Sequence, residues 1–152
     1  MKAVILAGGF GTRLRPLTFT KPKPMVTLVN KPVIEHVVDY LVSYGLDDIV
    51  VTTTFLREMV MDHFMLRYRE DVRLSYPTEP YPLGTAGSVK NAGLGQEDEP
   101  FVVIQGDNIT DMDLRRLIDF HYETGGLVTI GNACGRPMEL WYRYARERRA
   151  HQ

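Results

Sequence analysis

Residues 2–7 read KAVILA, and two glycines close the run at once. An apolar run with no alternating polar residues suits a strand shielded on both faces, and such strands belong to parallel sheets covered by helices. No other feature limits the fold as much, because parallel neighbours can be joined only by long crossovers, usually helical. The rest of the sequence supplies both parts. DIVVTTT (48–54), VRLSY (72–76), FVVIQG (101–106) and LVTI (127–130) read as further strands, the FVVIQG run as another buried one. Between them, PVIEHVVDYLVSYG (32–45) has helical spacing, with Val33, Val37, Tyr40, Leu41 and Tyr44 near one face. Pro32 suits its first turn and Gly45 its C-terminal cap. LREMVMDHFMLRY (56–68) is helical in period, a short helix ends near Asn91, and Asp113 opens an amphipathic helix that stops before Gly125. Strands alternating with helices predict an α/β fold with a doubly wound, mostly parallel, Rossmann-like sheet.

The chain has 152 residues, the size of one ordinary domain, and is 44% hydrophobic, enough for a real core. Its net charge of −1 gives no bulk attraction to nucleic acid or to an anionic membrane. Cys134 is the single cysteine, so an internal disulfide is excluded and a reducing compartment is expected. The first apolar run is too short for a signal peptide, and no window has transmembrane length. A soluble, cytoplasmic protein is therefore expected. His36, His63, His121 and His151 lack metal-ligand spacing, and Met59, Met61 and Met65 read as core filler.

In such folds the loops at the carboxyl ends of the strands form the binding crevice. Three segments should meet there. The first is LAGGFGTRLRPLTFTKPKPM (6–25). It lacks the Lys-Ser/Thr ending of a P-loop and the third glycine of a dinucleotide fingerprint. Its parts still suit a triphosphate. Gly8, Gly9 and Gly11 let backbone N–H groups approach phosphate oxygens, and Leu6, Ala7 and Thr12 belong to the same nucleotide-binding stretch. Arg13 can grip a phosphate through two parallel hydrogen bonds. Lys23 adds a point charge whose direction is limited by Pro22 and Pro24. The alternative is a surface loop with solvated cations.

The second segment, PLGTAG, has Gly84 and Thr85 where something flat can lie against the backbone. Glu79 could accept from a base edge. Guanine offers two adjacent donors there and uracil or thymine one, so a carboxylate leans toward guanine; a solvated loop glutamate fits the sequence equally. The third segment ends in Asp107, placed to hold Mg²⁺ against phosphates or to serve as an ordinary turn aspartate.

Together these residues carry a resemblance. AVILAGGFGTRLRPLT, KPKPM and NKPVIEHVVDYL closely resemble the N-terminal signature of sugar-1-phosphate nucleotidyltransferases. EPYPLGTAGSVKNA and FVVIQGDNITDMDL match the next two landmarks in order, so the similarity runs from residue 1 to about 130. The PLGTAG form resembles the mannose-1-phosphate guanylyltransferase branch more than the thymidylyl branch. The resemblance implies a Mg²⁺-dependent reaction in nucleotide-sugar biosynthesis. A nucleoside triphosphate such as GTP and a sugar 1-phosphate would give an NDP-sugar and pyrophosphate. It makes Arg13 the holder of the departing phosphates, places Lys23 near the α-phosphate, makes Asp107 the metal ligand, and puts Gly8, Gly9 and Gly84 against the nucleotide. The competing readings are a non-catalytic nucleotide-binding or regulatory subunit, and a thymidylyl- or uridylyltransferase acting on glucose 1-phosphate. An assembly of identical chains stays open.

Residues 1–130 therefore read as the nucleotide-binding part of a nucleotidyltransferase domain. Residues 131–152 depart from the pattern and form an arginine-rich tail, GNACGRPMELWYRYARERRAHQ. The family should continue here through the strands of the sugar pocket, so the domain reads as C-terminally truncated. Read one base later, Met138-Glu139 forces a tryptophan and Trp141-Tyr142 a glycine, where the family pattern wants them. The expectation is a frameshift near Gly131, the alternative being a genuine basic C-terminal helix; a chain cut short here should show weak nucleotide binding and little or no turnover.

Overall fold

The computed structural model describes residues 1–67, 71–94 and 99–131. The tail and the proposed frameshift lie outside these residues apart from Gly131. Two compact units divide the chain, residues 1–109 and residues from 110 onward.

In the first unit, β1 (Ala3–Leu6) is buried at every position. It lies between β4 (Asp48–Thr52) and β6 (Val102–Gln105), and β4 in turn pairs with β5 (Arg73–Ser75). All three pairings are parallel, with Leu6 level with Thr52 on one side and with Gln105 on the other. The period of two sends Val4, Leu6 and Val50 to one face, where Val89, Ala92, Leu94 and Phe101 pack on them. The α/β class and its parallel sheet are thus what the structure contains.

Helix α1 (Val33–Ser43) buries Ile34, Val37, Val38 and Leu41, a face turned from the expected one. Tyr40 and Tyr44 are half-buried and meet edge-on, 5.2 Å between ring centroids. The helix ends as a Schellman motif. Leu46 N–H donates to Leu41 (3.1 Å) and Gly45 N–H to Val42 (2.9 Å), with Gly45 at φ +78. Helix α2 (Arg57–Arg67) buries Val60 and Phe64, whereas Met59 and Met65 are exposed and are not core filler. Unbranched methionine fits either setting, so the period had to be read from the stiffer apolar residues.

Helix α3 (Gly84–Asn91) begins inside the expected loop, so PLGTAG is largely its first turn. Strand β6 is also less buried than expected: Val103 is 44% exposed. Among the described residues it pairs only with β1, which makes it an edge strand.

A feature without a sequence signal joins β2 (Thr27–Leu28) to β3 (Lys31–Pro32). The connecting residues Val29 and Asn30 both have positive φ, 50 and 61, as a two-residue type I′ hairpin needs. Valine is poorly suited to this conformation, and its side chain is 84% exposed, so packing does not compensate. Val29→Asn is expected to raise stability by about 0.5–1 kcal/mol, read from urea denaturation midpoints. No gain would mean that the side chain of Val29 stabilises the turn in another way.

In the second unit, Asp113 caps α4 (Leu114–Thr124) by accepting from Arg116 N–H (3.2 Å), and Gly125 (φ +56) ends it as expected. Residues 127–130 do not form the expected strand. A strand requires a neighbour to take its backbone hydrogen bonds, and no described strand pairs with this run. His121 Nδ1 instead lies 2.9 Å from the Thr129 hydroxyl. No helix among the described residues is long and apolar enough to cross a membrane.

Candidate functional site

The strand order reverses at β1: the chain moves outward through β4 and β5, then returns to β6 on the other side. A crevice opens at such a point because successive crossovers leave in opposite directions. Here it is a cavity of about 350 Å³. Its floor is the carboxyl ends of three adjacent strands, with Leu6, Thr52 and Gln105 in the lining. Ala7 N–H donates to Thr52 (2.8 Å) and Gly106 N–H to Leu6 (2.9 Å), which extends the sheet to the cavity edge.

The glycine loop forms one wall. Gly8, Gly9 and Phe10 line the cavity, and Phe10 packs on Phe55 with ring centroids 5.7 Å apart. The loop then curls through Gly11, whose φ of +61 and crowded surroundings (Thr18 and Lys23 within 3.0 Å of a Cβ) require glycine. Thr18 donates to the Gly11 carbonyl (2.8 Å) and fixes the bend. Lys23 reaches the cavity from a 3₁₀ turn, Lys23–Met25, entered through Pro22 at φ −66. Both flanking prolines are buried, so the lysine's origin is rigid. Its Nζ forms an ion pair with Asp107 Oδ2, just beyond β6.

The remaining wall comes from Glu79, Pro82, Leu83, Gly84, Thr85 and Ser88. Glu79 is only 8% exposed. Its Oε2 accepts from the Thr54 hydroxyl (2.8 Å), while Oε1 is buried without a hydrogen-bond partner. An orphaned buried oxygen is costly, so this atom calls for a donor from water or ligand.

Of the residues singled out in the sequence, the structure gathers Leu6, Ala7, Gly8, Gly9, Lys23, Glu79, Gly84, Thr85 and Asp107 around this cavity. Gly11, Thr12 and Arg13 are not in its lining, and the Arg13 side chain, in the 3₁₀ turn Thr12–Leu14, is exposed. Thr54, Phe10 and Gln105 were not foreseen. For Thr54 and Gln105 the signal was present, since each sits at or just past the carboxyl end of a strand-like run.

The cavity's donor set also bears on a metal. Among the described residues no group of three or more His, Cys, Asp or Glu could cage an ion. A single carboxylate at a strand end fits Mg²⁺, which keeps waters and shares phosphate oxygens.

Fold and cavity together define an α/β protein with a ligand-sized crevice at its switch point. A family model described as nucleotidyl transferase matches residues 2–139, and the chain belongs to that family. Curated relatives include mannose-1-phosphate guanyltransferases. That of Hypocrea jecorina is 44% identical over 134 residues, 86% of this chain and 36% of that protein. That of Aspergillus fumigatus is 46% identical over the same shares. The chain therefore spans 36% of the length of these relatives. Among solved structures, HddC from Yersinia pseudotuberculosis complexed with GMP-PN superposes with a TM-score of 0.71 at 32% identity, covering 79% of this chain and 53% of that one. UDP-glucose pyrophosphorylase from Acinetobacter baumanii gives 0.71 at 25% identity, covering 82% and 53%.

Proposed function

We propose that this chain carries the nucleotide-binding part of a mannose-1-phosphate guanylyltransferase-like enzyme, which converts GTP and a sugar 1-phosphate to a GDP-sugar and pyrophosphate. The observation that carries the choice of base is Glu79: a buried carboxylate in the cavity with one oxygen lacking a partner. Guanine's N1–H and N2–H₂ edge can supply one donor to Oε1 and a second to the remaining lone pair of Oε2, whereas uracil and thymine supply one N–H between two acceptors.

In this reading Gly8 and Gly9 bring backbone N–H groups against the nucleotide. Lys23 offsets charge on the phosphates, and Arg13, exposed outside the lining, would have to turn inward to meet the departing pair. The sugar phosphate's oxygen attacks the α-phosphorus, forming the new P–O bond as the bond to pyrophosphate breaks. Such chemistry depends on alignment and charge compensation, and needs no protein nucleophile. Magnesium, held by Asp107 with phosphate oxygens, would add Lewis-acid neutralisation of those phosphates.

Thermal-shift titration with GTP, ATP, CTP, UTP and dTTP plus magnesium tests the base. GTP is expected to stabilise the chain most, and Glu79→Gln to weaken GTP by about tenfold, the worth of a charge-assisted hydrogen bond. Equal shifts from all five nucleotides would refute the guanylyl assignment. Production of an NDP-sugar is the separate test of transfer; binding without it would favour a non-catalytic nucleotide-binding chain.

A further inference from the structure

The connection from β4 to α2 and the first residue of α2 touch the glycine loop and the segment that carries Glu79. Thr54 donates to Glu79, Phe55 packs on Phe10 of the glycine loop, and Arg57 Nη2 donates to the Tyr76 carbonyl (2.6 Å), three residues before Glu79. Between them Leu56 is held at φ +50, a conformation that leucine seldom adopts. A strained connection persists only where its surroundings over-determine it.

We propose that Thr54 is a positioning residue that sets the base preference of the cavity through Glu79. The proposal rests on reading Glu79 as the base-facing carboxylate. A carboxylate on a two-methylene side chain can turn, and it has about four acceptor positions. The Thr54 hydroxyl occupies one of them on Oε2, while Oε1 is buried and has no donor. With the hydroxyl in place, one orientation of the carboxylate is selected, and its acceptors are held in one arrangement for the base. Without it, Oε2 becomes a second buried acceptor lacking a donor, and the group gains by turning. Gly8 supports this assignment. A Cβ there would lie 3.2 Å from Thr54 Oγ1 and 3.9 Å from Glu79 Oε2, so a side chain at position 8 would cover the pair. Glycine leaves the position 8 side of the hydroxyl–carboxylate unit without a side chain against it. Thr54 itself lines the cavity, so the unit reports directly on what binds there.

Thr54→Val keeps the shape and removes the donor; Thr54→Ser keeps the donor and removes a methyl. Calorimetric titration of the parent and both variants with GTP, ITP, ATP and inorganic tripolyphosphate, all with magnesium, separates the roles. ITP lacks the 2-amino donor and tripolyphosphate lacks the base. Thr54→Val is expected to weaken GTP by about tenfold and to narrow its advantage over ITP and ATP. Tripolyphosphate binding should not change, and Thr54→Ser should restore GTP. A Thr54→Val chain that keeps the parent's base preference overturns the proposal and leaves the reading of Glu79 standing. Uniform weakening across all four ligands also overturns it, since that marks a structural role only. If the parent prefers another base and Thr54→Val erases that preference, the positioning role holds and the guanine reading falls. A parent with no base preference defeats both.

Discussion

Asp107→Asn is expected to weaken GTP binding by about tenfold in magnesium and to strengthen it by a similar factor in EDTA. The reversal follows from the two partners this carboxylate has. In the protein it is ion-paired with Lys23, and both side chains are partly exposed, at 22% and 37%. Without metal, Asp107 is a negative charge facing a negative ligand, and it occupies the lysine that should meet the phosphates. Neutralising it releases Lys23 to them. With magnesium the same carboxylate becomes a ligand that joins protein to phosphate, and amide oxygen is a weaker one. Lys23→Met removes a cation in both conditions and should weaken GTP by about tenfold or more in each. Isothermal titration in the two buffers reads all four values. An Asp107→Asn chain weakened equally with and without magnesium would remove the metal role from this residue.

Gly106→Ala should cost about 1–3 kcal/mol of stability, the usual cost of overpacking. The reason is not backbone freedom but distance. A Cβ at this position would lie 2.9 Å from Ile5 Cγ2 and 3.3 Å from the Leu6 carbonyl. Ile5 is fully buried in the central strand and cannot retreat. Relief must come from β6 moving away from β1, which strains the Gly106–Leu6 hydrogen bond and displaces Asp107 next in sequence. In a chain of this size about 1 kcal/mol lowers the melting temperature by roughly 2–4 °C. Gly9→Ala is the control for stability, because a Cβ there meets nothing within 4 Å. Equal melting temperatures for both variants would contradict the packing argument.

Much of this arrangement was legible in the residues. KAVILA predicted a strand shielded on both faces, and β1 is buried throughout. Asp113 and Gly125 marked the ends of α4 because capping uses local chemistry. The expected convergence of Gly8, Lys23, Glu79 and Asp107 needed only one rule, that loops at strand carboxyl ends meet, together with a parallel sheet. The misreadings share a cause. The face of α1, the exposure of Met59 and Met65, the edge position of β6 and the unpaired 127–130 run all depend on what lies opposite, and composition carries no record of the opposing surface. The hairpin at Val29 was invisible because its turn opens on a β-branched residue, which seldom adopts positive φ.

The sequence by itself determined the class of fold and which segments end at the sheet's carboxyl edge. Apolar period, caps and turn residues act over a few neighbours and need no distant partner. Only the tertiary structure decided that Lys23 meets Asp107, that Thr54 holds one oxygen of Glu79 while the other lacks a donor, and that Gly106 has no room for a methyl group. Each of those joins residues 25 or more positions apart, or depends on two strands lying side by side. Contacts of that kind follow from the register and order of the strands.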